Sequence, residues 1–145
     1  MRLSKRTEYG LRAVIALARQ GPGQFIQSKD LSRRESLPNK FLESILLALR
    51  RGGFLESKVG SGGGYRLSRP PRQIQVGDLI RRLEGRLNIK EPASTADLTP
   101  GEIASRYLNE HLTEATDKVL DAMTLEQLLD HVSRAGSHQQ SMYYI

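Results

Sequence analysis

The chain has no cysteine and no tryptophan among its 145 residues. Without thiols it can form no disulfide, no zinc knuckle and no thiolate-held iron–sulfur cluster. Long apolar runs are missing too. The run at residues 45–49 is far shorter than the roughly 20 residues that span a bilayer, and no signal-type apolar stretch follows the basic N-terminus. These absences predict a soluble, cytoplasmic protein with no membrane partner. Recognisable catalytic scaffolds are absent as well. The glycine run Gly60-Ser61-Gly62-Gly63-Gly64 is followed by Tyr65 and not by Gly-Lys-Ser/Thr, and Ser61 lacks the Gly-x-Ser-x-Gly frame, so neither a phosphate-cradling loop nor a nucleophile elbow is present. The three histidines, His111, His131 and His138, have no paired ligand spacing and read as surface or interface residues. The expectation is a protein that is no enzyme and carries no metal and no cofactor.

What the chain does have is positive charge, unevenly placed. Residues 1–82 hold 17 Lys and Arg against 6 Asp and Glu, a net +11, whereas residues 83–145 hold 5 against 10, a net −5. A compact block of +11 repels itself, and a polyanion that sheds counterions on contact is the usual compensation. The basic half is punctuated like a folded domain and not like one amphipathic helix, which favours nucleic acid over a membrane surface.

Hydrophobic spacing then outlines the elements. Over residues 3–19, Tyr9, Ala13 and Leu17 recur with Leu11, Val14, Ile15 and Ala18 as one broad helical face, Ser4 fits an N-cap, and Gly21-Pro22-Gly23 stops the helix. Lys5 and Arg6 would then occupy the first turn, where the helix dipole disfavours cations, so either an anion lies opposite them or both are solvated. A short helix follows over 28–35, and a third begins at Pro38, with Phe41, Leu42, Ile45, Leu46 and Leu49 on one face and Gly52-Gly53 at its end. Two short helices, the second with a polar and basic outer face, match a helix-turn-helix. Alternation at 54–59 and 65–67 around the glycine run adds a β-hairpin, making a winged helix. Val76, Leu79, Ile80 and Leu83 mark a helix returning to the domain.

The expected fold is therefore mainly α with a small β-hairpin: a winged helix-turn-helix over 1–84, a loop over 85–98, helices over 99–135, and a flexible tail over 136–145. Thr99-Pro100-Gly101-Glu102 is a capping box that opens a long helix, whose stripe of Ala104, Leu108, Leu112 or His111, Ala115, Val119 and Ala122 or Met123 suits a seam against another helix. A second capping pattern, Thr124 with Gln127, opens a last helix ending near Arg134. This acidic pair predicts a dimerisation element, the alternative being a pair that packs on its own domain.

Several motifs in order carry a family resemblance: Leu3-Ser4, Arg6-Thr7-Glu8-Tyr9-Gly10-Leu11-Arg12-Ala13, Phe41-Leu42-Glu43, Leu49-Arg50, Gly62-Gly63-Gly64-Tyr65-Arg66-Leu67, Val76-Gly77-Asp78-Leu79-Ile80, Leu83-Glu84-Gly85 and Thr124-Leu125. Across residues 1–133 the chain resembles the Rrf2 family of bacterial transcription regulators. The resemblance implies a homodimeric winged-helix repressor or activator. Many members sense iron–sulfur clusters through three cysteines in the loop before the long helix. This chain has none there, and it resembles instead the cysteine-free, CymR-like branch, repressors of cysteine metabolism.

The expected mode of action is a homodimer on a palindromic operator, with residues 38–51 of each chain in a major groove and the wing near the adjacent minor groove. Asn39, Lys40 and Glu43 are the candidates for base edges, since Asn pairs with adenine and Glu accepts from cytosine. The alternative for Glu43 is an intrahelical cation partner. Lys5, Ser28, Lys29, Arg50 and Lys58 are the candidates for phosphates. Pro38 at the head of the recognition helix, with Ser61, Gly62, Gly63 and Tyr65 in the wing, completes the set. Where the family commonly has a basic residue before the wing glycine, this chain has Val59.

The chain finishes Met142-Tyr143-Tyr144-Ile145 after a polar stretch. An apolar tetrapeptide with a carboxylate is expected to dock, either into a partner or back onto its own dimer. In the CymR-like proteins a similar ending enters the active site of cysteine synthase, the O-acetylserine thiol-lyase. The resemblance implies that Ile145 does the same, with O-acetylserine competing for that site. The alternative regulation is direct sensing of a small molecule, a metal or an iron–sulfur signal without cysteine ligands.

Overall fold

The computed structural model describes residues 2–85 and 95–143, with six helices and one two-stranded antiparallel sheet among them. Helix α1 spans Lys5–Arg19 and starts as its sequence dictates: the Ser4 side chain accepts from the Thr7 amide. Helix α2 covers Ser28–Glu35 and α3 covers Asn39–Arg51. The turn between them passes through Ser36, the one non-glycine residue with positive φ among the described residues, at φ 53° and ψ 48°. A small polar residue tolerates that left-handed conformation, and it swings buried Leu37 into the core. Pro38 is the N-cap of α3, one position before its expected place inside the first turn.

Strands β1, Leu55–Lys58, and β2, Gly64–Leu67, pair in register from Leu55 opposite Leu67 to Lys58 opposite Gly64. The turn between them needs its glycines. Gly64 has φ 128° and lies against the backbone of Ile26, where a Cβ would collide. The close approach lets Ile26 and Tyr65 exchange two backbone hydrogen bonds, of 2.9 and 2.8 Å, so the chain before α2 pairs with the hairpin. That pairing was not visible in the spacing of residues 25–27.

Helix α4, Val76–Glu84, packs on α1 and α3. Leu83 touches the space where a Cβ at Gly10 would stand, so this glycine lets α1 and α4 approach closely. Helix α5, Pro100–Asp121, opens with the expected reciprocal capping box between Thr99 and Glu102. It buries no residue at all within the chain. Helix α6, Leu125–Tyr143, opens with Thr124 and Gln127 exchanging the second set of capping bonds.

One expectation is corrected here. Helix α6 runs past Arg134 and Gly136 to Tyr143, where a flexible tail was expected. A single glycine costs a helix only about 1 kcal/mol, and nothing in residues 137–141 breaks it. The start of α6 packs on the winged domain of its own chain. Leu125 is 0% exposed within its core, and the flanking backbone makes a short antiparallel bridge, Leu125 N–H to the Ile74 carbonyl and Val76 N–H to the Met123 carbonyl, both 2.9 Å. The rest of the interior includes the predicted faces, Ala13, Val14 and Leu17 of α1, Leu31 of α2, four residues of α3, and Leu79 and Leu83 of α4, together with Ile26, Leu37, Phe54, Leu55 and Ile74. Apart from the 3₁₀ turn Thr95–Asp97, the loop expected over 85–98 lies mostly outside the described residues.

Candidate nucleic-acid interface

The amphipathic register of α3 turns Leu42, Ile45, Leu46 and Leu49 inward and so leaves Asn39, Lys40, Glu43, Ser44 and Arg50 exposed. The side chains of Asn39, Lys40 and Glu43 make no hydrogen bond or ion pair among the described residues. Glu43 therefore has no intrahelical cation partner there, and its carboxylate is open to solvent beside Lys40. Helices α2 and α3 start without a side-chain cap, and α3 has no acid in its first turn. Their leading amides remain open donors, an arrangement that suits phosphate oxygens.

Three links join the elements around this helix. From α1, the Arg6 guanidinium donates to Ser44 Oγ at 3.3 Å. From the end of α3, Arg50 donates to Ser57 Oγ of β1 at 3.1 Å, tying the recognition helix to the wing. Lys58 and Arg66 then flank the Phe25 ring, with their cationic groups 6.0 and 4.3 Å from its centroid, which ties the wing to the entry of α2 and so to Ser28 and exposed Lys29. Cations on an aromatic face are held without being neutralised. Arg66 is also engaged by Glu56 at 3.0 Å, which leaves Lys58 as the freer charge of the two.

Some candidates have structural duties. Lys5 sits 3.2 Å from Glu8, an exposed pair of the kind worth little, so its charge remains exchangeable. Tyr65 packs its ring against the core and bonds Ile26 through its backbone, while Gly63 is buried in the turn against the Lys58 and Gly60 carbonyls. Packing accounts for both. Ser61 and Gly62 are exposed at the wing tip, and Val59 beside them is 97% exposed. Met142 and Tyr143 lie in the last turn of α6, whereas Tyr144 and Ile145 fall outside the described residues. Arg6 and Ser44 are the residues that sequence reasoning left out of the set. The signal for Arg6 was its unfavourable place in a helix first turn; its contact with residue 44 is tertiary.

A second polar cluster ties α4 to α1 and to α5. Glu84 at the end of α4 accepts from Thr7 Oγ1 at 2.6 Å and from the Ser4 amide at 3.0 Å. The Thr7 hydroxyl, then the Ser4 amide, hold the Glu84 carboxyl below the usual carboxylate range. On the other side of α4, Arg81 donates to Asp117 at 2.9 Å and to both Asp121 oxygens at 2.8 and 2.9 Å. Hydrogen bonds to Asp117 and then Asp121 raise the guanidinium pKa further. The last turn of α4 thereby clamps the head of α1 through Glu84 and the C-terminal half of α5 through Arg81. Among the described residues no group of three or more His, Cys, Asp or Glu could hold a metal ion, and no helix is long and apolar enough to cross a membrane.

The comparisons with known proteins agree with this geometry. Residues 3–131 match the Rrf2 family model, described as iron-dependent transcriptional regulator. The HTH-type transcriptional regulator CymR of Bacillus subtilis is 33% identical over 145 residues, covering 100% of both chains. Among solved structures, IscR of T. potens superposes with a TM-score of 0.74 at 31% identity, over 93% of this chain and 90% of that one. The structure of CymR (YrzC), the global cysteine regulator of B. subtilis, superposes with a TM-score of 0.71 at 33% identity, over 90% and 98%. A winged helix-turn-helix with an open polar face on α3, in a chain matched to these regulators along nearly all its length, is a member of the Rrf2 family of DNA-binding transcriptional regulators.

Proposed function

We propose that this regulator is a repressor of sulfur and cysteine metabolism genes, acting as a homodimer on a palindromic operator and controlled by docking of its C-terminal end into cysteine synthase. The observation that carries this reading is the full-length similarity to CymR, whose solved structure is described as that of a global cysteine regulator, in a chain that has no cysteine of its own. Zero cysteine weighs against the rival in which this chain senses an iron–sulfur signal directly, because the soft thiolate ligands of such clusters are missing.

The exposed face of α5 supports the dimer. Ile103, Tyr107, Leu108, Leu112 and Val119 are each 49–61% exposed, a row of large apolar side chains at helical spacing that one chain leaves uncovered. Pairing of this row with its copy would set two α3 helices at a fixed separation, which a palindrome matches. Asn39, Lys40 and Glu43 then face base edges. Pro38, Ser28, Lys29, Lys5, Arg50 and Lys58 lie around them for the backbone, with Ser61 and Gly62 at the wing tip.

The test is calorimetric titration of the purified protein, and of a form lacking residues 142–145, into purified cysteine synthase with and without O-acetylserine. Binding that requires residues 142–145 and disappears with O-acetylserine is the expected result. Binding that survives the deletion sinks the docking model, since the end of the chain would then contribute no differential affinity.

A further inference from the structure

On the reading that α3 faces a DNA duplex rests an assignment for Arg6. Lys5 and Arg6 share the first turn of α1, yet the fold treats them differently. The Lys5 ammonium stays on its own helix beside Glu8. The Arg6 guanidinium crosses to α3 and donates to Ser44 Oγ at 3.3 Å. No carboxylate pairs with it among the described residues. The acids at that end of α1 are engaged elsewhere, Glu8 by Lys5 and Glu84 by Ser4 and Thr7.

The position of Arg6 is also well defined. Thr7 is 0% exposed, its amide donates to Ser4 Oγ, and both Ser4 and Thr7 donate to Glu84, so the head of α1 cannot drift from α4. An unneutralised cation at the positive end of a helix dipole is unfavourable in the free protein, and it becomes favourable when an anion arrives. Ser44 lies one helical turn beyond Lys40 and next to Glu43, on the exposed side of α3. A guanidinium has five N–H donors, so the bond to Ser44 leaves enough for a bidentate phosphate contact.

We propose that Arg6 is a phosphate-contacting residue of the DNA interface, held at the flank of the recognition helix by Ser44 and aimed by the Glu84 clamp on α1. Its origin on the first helix, beside the face that enters the groove, assigns it to the backbone and not to a base edge. Ser44 sets the approach, and Arg6 supplies the charge.

The experiment begins by selecting duplexes from a random pool with the full-length protein. Affinity for a selected duplex and for a scrambled one is then measured across a salt series for the wild type, Arg6→Gln and Arg6→Lys. Arg6→Gln is expected to bind both duplexes roughly tenfold more weakly, with a log–log salt slope shallower by about one. Arg6→Lys keeps the charge and is expected to keep the wild-type slope while recovering only part of the affinity, because an ammonium lacks the planar fork. Wild-type affinity and slope in Arg6→Gln overturn the proposal. A loss confined to the selected duplex also overturns it, since that is the behaviour of a base reader, and so does an Arg6→Lys slope equal to that of Arg6→Gln. If the wild type enriches no duplex, the DNA reading of α3 itself fails, and the assignment fails with it.

Discussion

Glu84 has more consequences than its exposed position suggests. Its carboxylate accepts from the Thr7 hydroxyl and the Ser4 amide, and these bonds lower its pKa in the folded chain below the ordinary 4.5. A lowered folded pKa means that the unfolded chain binds the proton more tightly, so the stabilisation is complete above the ordinary value and is lost as pH falls through the folded one. The expected outcome for Glu84→Gln is lower stability than wild type at neutral pH and convergence of the two at acid pH. Urea melts of both proteins over a series of pH values check this, and parallel curves throughout would remove Glu84 from the acid response. Ser4 was legible in the sequence as an N-cap because capping chemistry is local. Its second partner, 80 positions away, was not.

At the scale of elements, most of the helices were legible because their boundaries are set by neighbours in sequence. Ser4, Thr99 with Glu102, and Thr124 with Gln127 all cap as their spacing predicts. Helix α6 shows where that logic stops. Its start is locally encoded, but the docking of Leu125 beside Ile74 depends on a bridge between segments about 50 residues apart. Leu125→Ala is expected to cost about 2–5 kcal/mol of the stability of the winged domain, as deletion of a fully buried leucine does. The measurement is chemical denaturation followed by the far-UV signal. A loss below about 1 kcal/mol would mean that α6 is a separate appendage. The end of α6 was misjudged for a complementary reason: a polar stretch after one glycine reads as a tail, although polar composition alone does not stop a helix.

For the whole molecule, α4 is the centre of the arrangement. Glu84 fixes α1, Arg82 Nε donates to the Ala48 carbonyl of α3 at 2.8 Å, and Arg81 holds Asp117 and Asp121 of α5. The elements proposed to face DNA and the helix proposed for dimerisation thus meet on one nine-residue segment. Gly77 allows that meeting, since a Cβ there would collide with the Asp121 carboxylate. If α5 forms the homodimer seam, Leu108→Glu with Leu112→Glu is expected to give monomers by sedimentation equilibrium, because like charges would face each other across the two-fold. The same variant should keep the wild-type far-UV spectrum, as neither side chain is buried within its own chain. A dimer that survives both changes places the interface elsewhere.

The sequence by itself determined the winged helix-turn-helix, the caps, the charge asymmetry and the polar face of α3, because periodicity, capping and turn chemistry act over a few residues. The family resemblance was legible for the same reason, in short motifs kept in order. Only the tertiary structure decided which charges are free and which are spent. Lys5 and Arg6 are alike in sequence, but one is beside Glu8 and the other reaches Ser44. It also decided that α6 begins inside the core of the winged domain while α5 leaves its apolar row uncovered. These outcomes depend on contacts between residues tens of positions apart, and a linear pattern does not encode which distant partner a side chain will meet.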